Sequence, residues 1–236
     1  MIFMEGENKE IENKGKTLVI RKELLIIIAV LAIVLLILAF FVFRPSGNVL
    51  SANNPVLGNP NAIVYVVEFS DYECPFCQAS EGENIEIINS LKKSYPGWEA
   101  PIPKVIEEYV NTGKVKLVFR QFPVHPNKNP AFAVKCAQEQ GKFWEYHKVL
   151  FENYNALSIT DLIKYAADLN LNLTQFNECF NSRKYESSIQ NDLNDGQCVG
   201  VDGTPTFFIG NEAKGFKKIE GAQSFSVFKQ TIDSML

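Results

Sequence analysis

Histidine is nearly absent from this 236-residue chain: His125 and His147 are the only two, and they stand alone. There is no second C-x-x-C and no C-x-x-H, so a zinc site would lack its second pair of ligands. Met-rich and His-rich stretches are missing too, which argues against a copper-delivery module. No long Lys/Arg stripe occurs, and 27 acidic against 23 basic side chains leave a net charge of −4. That balance carries no footprint for nucleic acid. The first 73 residues hold no cysteine, and no internal repeat or low-complexity block appears.

Between Leu24 and Phe43, charged and polar side chains are missing altogether, as are Gly and Pro. As a helix with about 1.5 Å rise per residue, this run is roughly 30 Å long, the thickness of a bilayer's hydrocarbon core. A signal-peptide core is shorter, about 7–15 residues, and ends at small residues. This run ends at Phe40-Phe41-Val42-Phe43-Arg44, with a weak cleavage alternative at Leu50-Ser51-Ala52. We read an anchor at 24–43, with cleavage as the alternative. Lys14, Lys16, Arg21 and Lys22 precede the run, and Arg44 is the only Lys or Arg between it and Lys92. The positive-inside rule then gives a cytoplasmic tail at 1–23 and places everything after Arg44 outside the cell membrane. Residues 44–61, rich in Asn, Pro, Gly and Ser, read as a linker, and 62–236 as one outer domain.

Within that domain, Ala62 to Phe69 is a nearly continuous β-branched and aromatic run, interrupted by Glu68, as in a strand buried on both faces. It leads into Cys74-Pro75-Phe76-Cys77 and a helix to about Ser94. A short helix ends at Thr112-Gly113, and Lys114 to Phe122 alternates as a second strand. A helical zone at about 129–197 is punctuated by Gly141, Asn155 and Asn170. A hairpin follows, Thr206 to Ile209 and Gly215 to Ile219, before a last helix from Ser224. The order is that of an α/β layer fold interrupted by a helical block.

The cysteines are 74, 77, 136, 179 and 198. A C-x-x-C that follows a strand and opens a helix can close a disulfide, and the helix's free N–H groups stabilise the first thiolate. Pro75 suits the first helical position. A structural bridge across so short a loop would stabilise little. Cys74 is therefore the expected nucleophile, with Cys77 one turn in and shielded by Phe76 and the strand. Glu68 is either a strand-end carboxylate or a buried acid that relays protons to the thiols. His147 reads as packing or surface, and His125 as a loop residue without a role. Thr174, in the sequon Asn172-Leu173-Thr174, reads as a helix cap. Among Cys136, Cys179 and Cys198, three pairings are open and spacing cannot decide.

Four segments in order carry a resemblance: Glu68 to Cys77, Phe119-Arg120-Gln121-Phe122-Pro123, Gln140 to His147, and Val201 to Ile209. From about Ala62 to the C-terminus the chain resembles the DsbA-type thiol–disulfide oxidoreductases, in the branch with a membrane anchor and an extracytoplasmic domain. The resemblance implies a thioredoxin fold with an inserted helical subdomain and a redox-active Cys74–Cys77 pair. It implies that Pro205 is the cis-proline facing that pair, with the Thr204 backbone left free for an extended substrate. It favours an acid at Glu68 and a second disulfide between Cys136 and Cys179, leaving Cys198 over as a buried, inert thiol. No cofactor and no metal follow from it. Its implied partners are reduced exported proteins and a membrane quinone-linked thiol oxidase, DsbB- or VKOR-like.

The resulting expectation is an enzyme that introduces disulfides into exported proteins. An extracytoplasmic reductase or isomerase is the nearest alternative, because the Pro-Phe dipeptide brings no hydrogen-bond donor to the thiolate. A Cu(I)-binding thiol module is the more distant one.

Overall fold

The computed structural model describes residues 26–35 and 48–236. Residues 26–35 form a helix with exposed side chains. Among the described residues no helix is long and apolar enough to cross a membrane. Residues 24–25 and 36–43 of the expected anchor, and the expected tail at 1–23, lie outside the described residues.

The second unit is built on a five-stranded sheet of order β1-β3-β2-β4-β5. Its strands are β1 (Val56–Gly58), β2 (Val64–Ser70), β3 (Val115–Gln121), β4 (Thr206–Asn211) and β5 (Gly215–Glu220). β2 and β3 are parallel, and the other neighbours are antiparallel. The helices are α1 (Pro75–Ser80), α2 (Ile85–Ser94), α3 (Pro101–Val105), α4 (Asn129–Gln138), α5 (Phe143–Glu152), α6 (Ile159–Asp168), α7 (Leu173–Asn181), α8 (Glu186–Cys198) and α9 (Phe225–Asp233). A π-helical turn at Ile106–Val110 continues α3.

Successive side chains of β2 point to opposite faces, so its unbroken apolar run serves two cores. On one face Val64, Val66, Leu117 and Phe207 pack against α3 and α9 through Ile102, Val105, Phe228 and Ile232. On the other, Val67, Phe69, Val118, Phe122 and Phe208 form a second cluster. The inserted helices α4 to α8 enclose a third core that includes Tyr146, Leu150, Leu162 and Phe176 and reaches the sheet at Phe119. Cys136 of α4 and Cys179 of α7 are disulfide-bonded across this core, with Cα atoms 5.8 Å apart. α8 lies tight on the sheet: a Cβ at Gly196 would stand 2.6 Å from the Phe122 ring.

Four local features differ from the sequence reading. The helix expected to reach Ser94 is two helices. Gly82 (φ 88°) and Asn84 (φ 44°) adopt left-handed conformations between them, and the Asn84 side chain caps α2 by accepting from the Ile87 N–H. The cap of α7 is Asn172, not Thr174, and it accepts from the Gln175 N–H at 3.1 Å. Cys198, expected to be buried, is exposed at the end of α8. The stretch read as a linker is partly structural, because β1 pairs antiparallel with Val118–Lys116. The Arg120 guanidinium donates to the Asn48 and Val49 carbonyls, and Asn54 is buried against Asp192 at 3.1 Å. Pro, Asn and Gly signal turns; they carry no information about a partner some 60 or more residues away.

Candidate active site

β2 ends at Ser70, and the chain turns over Asp71-Tyr72-Glu73 before α1 begins at Pro75. The Cys74 N–H closes the turn on the Asp71 carbonyl at 3.1 Å. Cys74 is the N-cap, with extended backbone angles, and Pro75 occupies the first turn, where no N–H is needed. The Cys74 thiol faces the Thr204 carbonyl at 3.2 Å. The Thr204–Pro205 peptide bond is cis, and it brings β4's leading loop over the sulfur. Cys74 is 5% exposed and Cys77 fully buried, while Phe76, expected to shield Cys77, points outward and is 49% exposed.

The two thiols are driven apart in acidity. The Cys74 thiol is lowered to about 6, chiefly by a hydrogen bond from the Cys77 thiol. Burial opposes that shift, while Thr204 and the first-turn N–H groups of Phe76 and Cys77 add to it. Cys77 is raised well above the ordinary thiol range by burial, then by the neighbouring Cys74 and by Glu68.

Beneath the pair lies an acid cluster. Glu68 is fully buried, and neither carboxylate oxygen has a hydrogen-bond partner. Burial raises its pKa strongly, with Glu81 adding to the rise and Ser70 and His147 opposing it. Glu81, in the turn after α1, is pushed up to about 8 by burial. His147 of α5 is buried, with Nδ1 3.0 Å from the Tyr72 hydroxyl and Nε2 3.4 Å from Glu81 Oε1. Burial lowers His147 to about 4, so the ring is neutral at pH 7. Glu81 and His147 both line a cleft of about 480 Å³ walled by Ile102, Leu117, Trp144 and Phe151. Burial therefore favours the neutral, protonated form of both carboxyls, and the cluster touches an opening.

Of the residues singled out from the sequence, Cys74, Pro75, Phe76, Cys77, Glu68, Thr204 and Pro205 come together here. Cys136 and Cys179 lie in the helical insert. Glu81, His147 and His125 join the site, although the sequence reading gave none of them a role there. Glu81 sits four residues past Cys77, a spacing that returns to the same helical face, and that was the one usable cue. His125 stands beside the active-site turn, its Nδ1 2.7 Å from Asp71 Oδ2. Among the described residues no group of three or more His, Cys, Asp or Glu side chains could hold a metal ion.

A family model described as "Thioredoxin" matches residues 51–93 and 97–234. The Na(+)/H(+) antiporter NhaA 3 of Salinispora tropica is 35% identical over 158 residues, which are 65% of this chain but only 21% of the antiporter's length. Disulfide bond formation protein D of Bacillus subtilis is 26% identical over 204 residues, 81% of each chain. The crystal structure of Wolbachia pipientis alpha-DsbA1 superposes with a TM-score of 0.64 at 25% identity, covering 84% of this chain and 95% of that one. Oxidised BdbD from Bacillus subtilis gives a TM-score of 0.64 at 22% identity, covering 81% and 96%, and shares the fold. With more than half of its length matched by that family model, and the thiol pair at a helix N-terminus under the Thr204–Pro205 loop, the chain belongs to the thioredoxin family.

Proposed function

We propose that this chain is a membrane-anchored oxidase that passes the Cys74–Cys77 disulfide to reduced cysteines of exported proteins. A substrate thiolate attacks Cys74 Sγ, the Cys74–Cys77 bond breaks, and Cys77 leaves and takes a proton. A second substrate thiolate then attacks the substrate sulfur of the mixed disulfide, and Cys74 leaves as a thiolate. The substrate gains one disulfide and the enzyme holds two reduced cysteines. A quinone-linked thiol oxidase of the membrane, DsbB- or VKOR-like, takes up those two electrons. The apolar run at 24–43 and the charge asymmetry around it support the anchor and an extracytoplasmic domain. A groove of about 540 Å³ beside the site, with Phe76, Tyr95, Trp98, Thr204 and Val227 in its walls, suits an extended peptide with apolar side chains.

The observation that carries the oxidising direction is the split between the thiols, with Cys74 lowered to about 6 and Cys77 raised. A low-pKa leaving thiol stabilises the reduced form and raises the potential. The reductase or isomerase direction draws on Phe76, which offers the thiolate no side-chain donor. Equilibration of the pair with glutathione decides between them. We expect a potential well above thioredoxin's, roughly −270 mV. A value at or below that level overturns the oxidase reading and leaves the reverse direction.

A further inference from the structure

The loop Phe122 to Asn127 belongs to no element of the fold, yet its polar groups converge on the turn that carries Cys74. The carboxylate of Asp71, only 3% exposed, is the meeting point. Its Oδ2 accepts from the Val124 N–H at 2.9 Å and from the His125 N–H at 2.9 Å, and lies 2.7 Å from His125 Nδ1. Its Oδ1 accepts from the Glu73 N–H at 3.0 Å, while its backbone carbonyl takes the Cys74 N–H. Asn127 holds Glu73 by a bond of 3.0 Å to Oε1. The loop is thus fixed at the rim of the active site, and the His125 ring is 40% exposed and open to solvent protons.

The charges around Cys74 make this contact consequential. Asp71 and Glu73 are both acids, and α1 brings no basic side chain to its first or last turn. Each ionised acid near a thiol disfavours the thiolate. His125 is the side chain among the described residues that forms an ion pair with one of them. We propose that His125 is a positioning residue for the thiol exchange: acting through Asp71, its protonated ring cancels that carboxylate and keeps Cys74 ionised. This rests on the reading of Cys74 as the attacked thiol.

Electrostatic coupling between two sites is reciprocal. His125 is raised above its ordinary value by Asp71 first, against some burial, and also by the Cys74 thiolate and Glu73, which complete the charged groups facing it. A thiolate that favours the imidazolium must be favoured by it to the same extent. The sign follows. As pH falls through the His125 pKa, the Asp71–His125 pair becomes net neutral and the Cys74 thiolate persists to lower pH than it otherwise would. Above that pKa, the Asp71 carboxylate stands uncompensated and the thiol holds its proton more firmly.

With two histidines in the chain, the test is direct. The full chain, isotope-labelled at histidine and held in detergent, is titrated by NMR in reduced and oxidised forms, with His125→Gln identifying the signal. The His125 pKa should be higher in the reduced protein by about half a unit, because oxidation removes the thiolate charge. His125→Gln should raise the Cys74 pKa by the same amount, about a twofold loss of thiolate at its midpoint and about threefold well below it. His125→Lys should restore it. Identical His125 titrations in the two redox forms, to about 0.1 unit, would overturn the proposal even if the variants fail to fold. That result with Cys74 still titrating near 6 sinks this inference alone; Cys74 titrating at its ordinary value of about 8.5 sinks the functional reading as well.

Discussion

Two buried charge clusters lie back to back on the paired strands β2 and β3, and they neutralise their acids in opposite ways. On one face, Arg120 is fully buried over the Phe69 ring and bonds Asp192 at 2.7 Å and Asp195 at 2.7 Å. The Gln121 N–H and Asn54 complete Asp192, so both of its carboxylate oxygens are paired. On the other face, Glu68 has both oxygens unpartnered, and Glu81 Oε1, the Ser70 hydroxyl and the Gln121 side chain are orphaned beside it. One cluster cancels charge with a guanidinium, which cannot leave. The other cancels it with protons, which can. Orphaned polar atoms are costly to bury, and here they collect beside the buried Cys77 thiol.

The difference can be broken most forcefully at Arg120. Arg120→Ala strands two aspartates, one of them buried, and should cost about 3–5 kcal/mol in urea unfolding. A loss below about 1 kcal/mol would mean that the guanidinium contributes little beyond its own burial. At the opposite cluster the effect should fall on rate. Glu68→Gln keeps the shape but removes the exchangeable proton, and reaction with a dithiol peptide near pH 6 should slow by about 10²-fold. Unchanged kinetics there would reduce Glu68 to an unpaid burial penalty without a catalytic return.

The smallest effect is a slope. An acid raised by folding stays protonated in the native state while it ionises in the unfolded chain, so stability falls as pH rises from the unfolded value toward the folded one. For Glu81 that window runs from 4.5 to about 8. Glu81→Gln should remove up to about 1.4 kcal/mol per pH unit of that decline, measured at fixed redox state. His147 works on the other limb. Held neutral to about 4, it costs stability as pH falls below 6.5, and Glu81→Gln should leave that limb in place.

The sequence made one cluster half visible and the other invisible. Glu68 stands out because a carboxylate interrupts a strand otherwise apolar, and the thiol pair because a strand-to-helix junction gives C-x-x-C its meaning. The hairpin and the last helix were legible from period and turn residues alone. Glu81, His147 and Tyr72 were not: His147 meets Tyr72 across 75 residues, and no local spacing encodes that meeting. Arg120 and Asp192 are 72 residues apart and look like ordinary surface charges in their own segments. His125 had no reading at all, because its partner Asp71 lies 54 residues upstream. Periodicity reports which face of an element is buried; it does not report what polar group waits there.

The short strand β1 has a bearing on how the domain could be handled apart from its N-terminal segment. It occupies the outer edge of β3, whose backbone N–H and C=O groups would otherwise face water as a ready template for another chain. A fragment begun at Ala62, where the composition suggests the fold starts, would expose that sticky edge and discard the carbonyls that cap Arg120. One begun before Asn48 keeps both. Those ten or so residues act as a selvedge, the finished border that stops a fabric from being stitched to its neighbour.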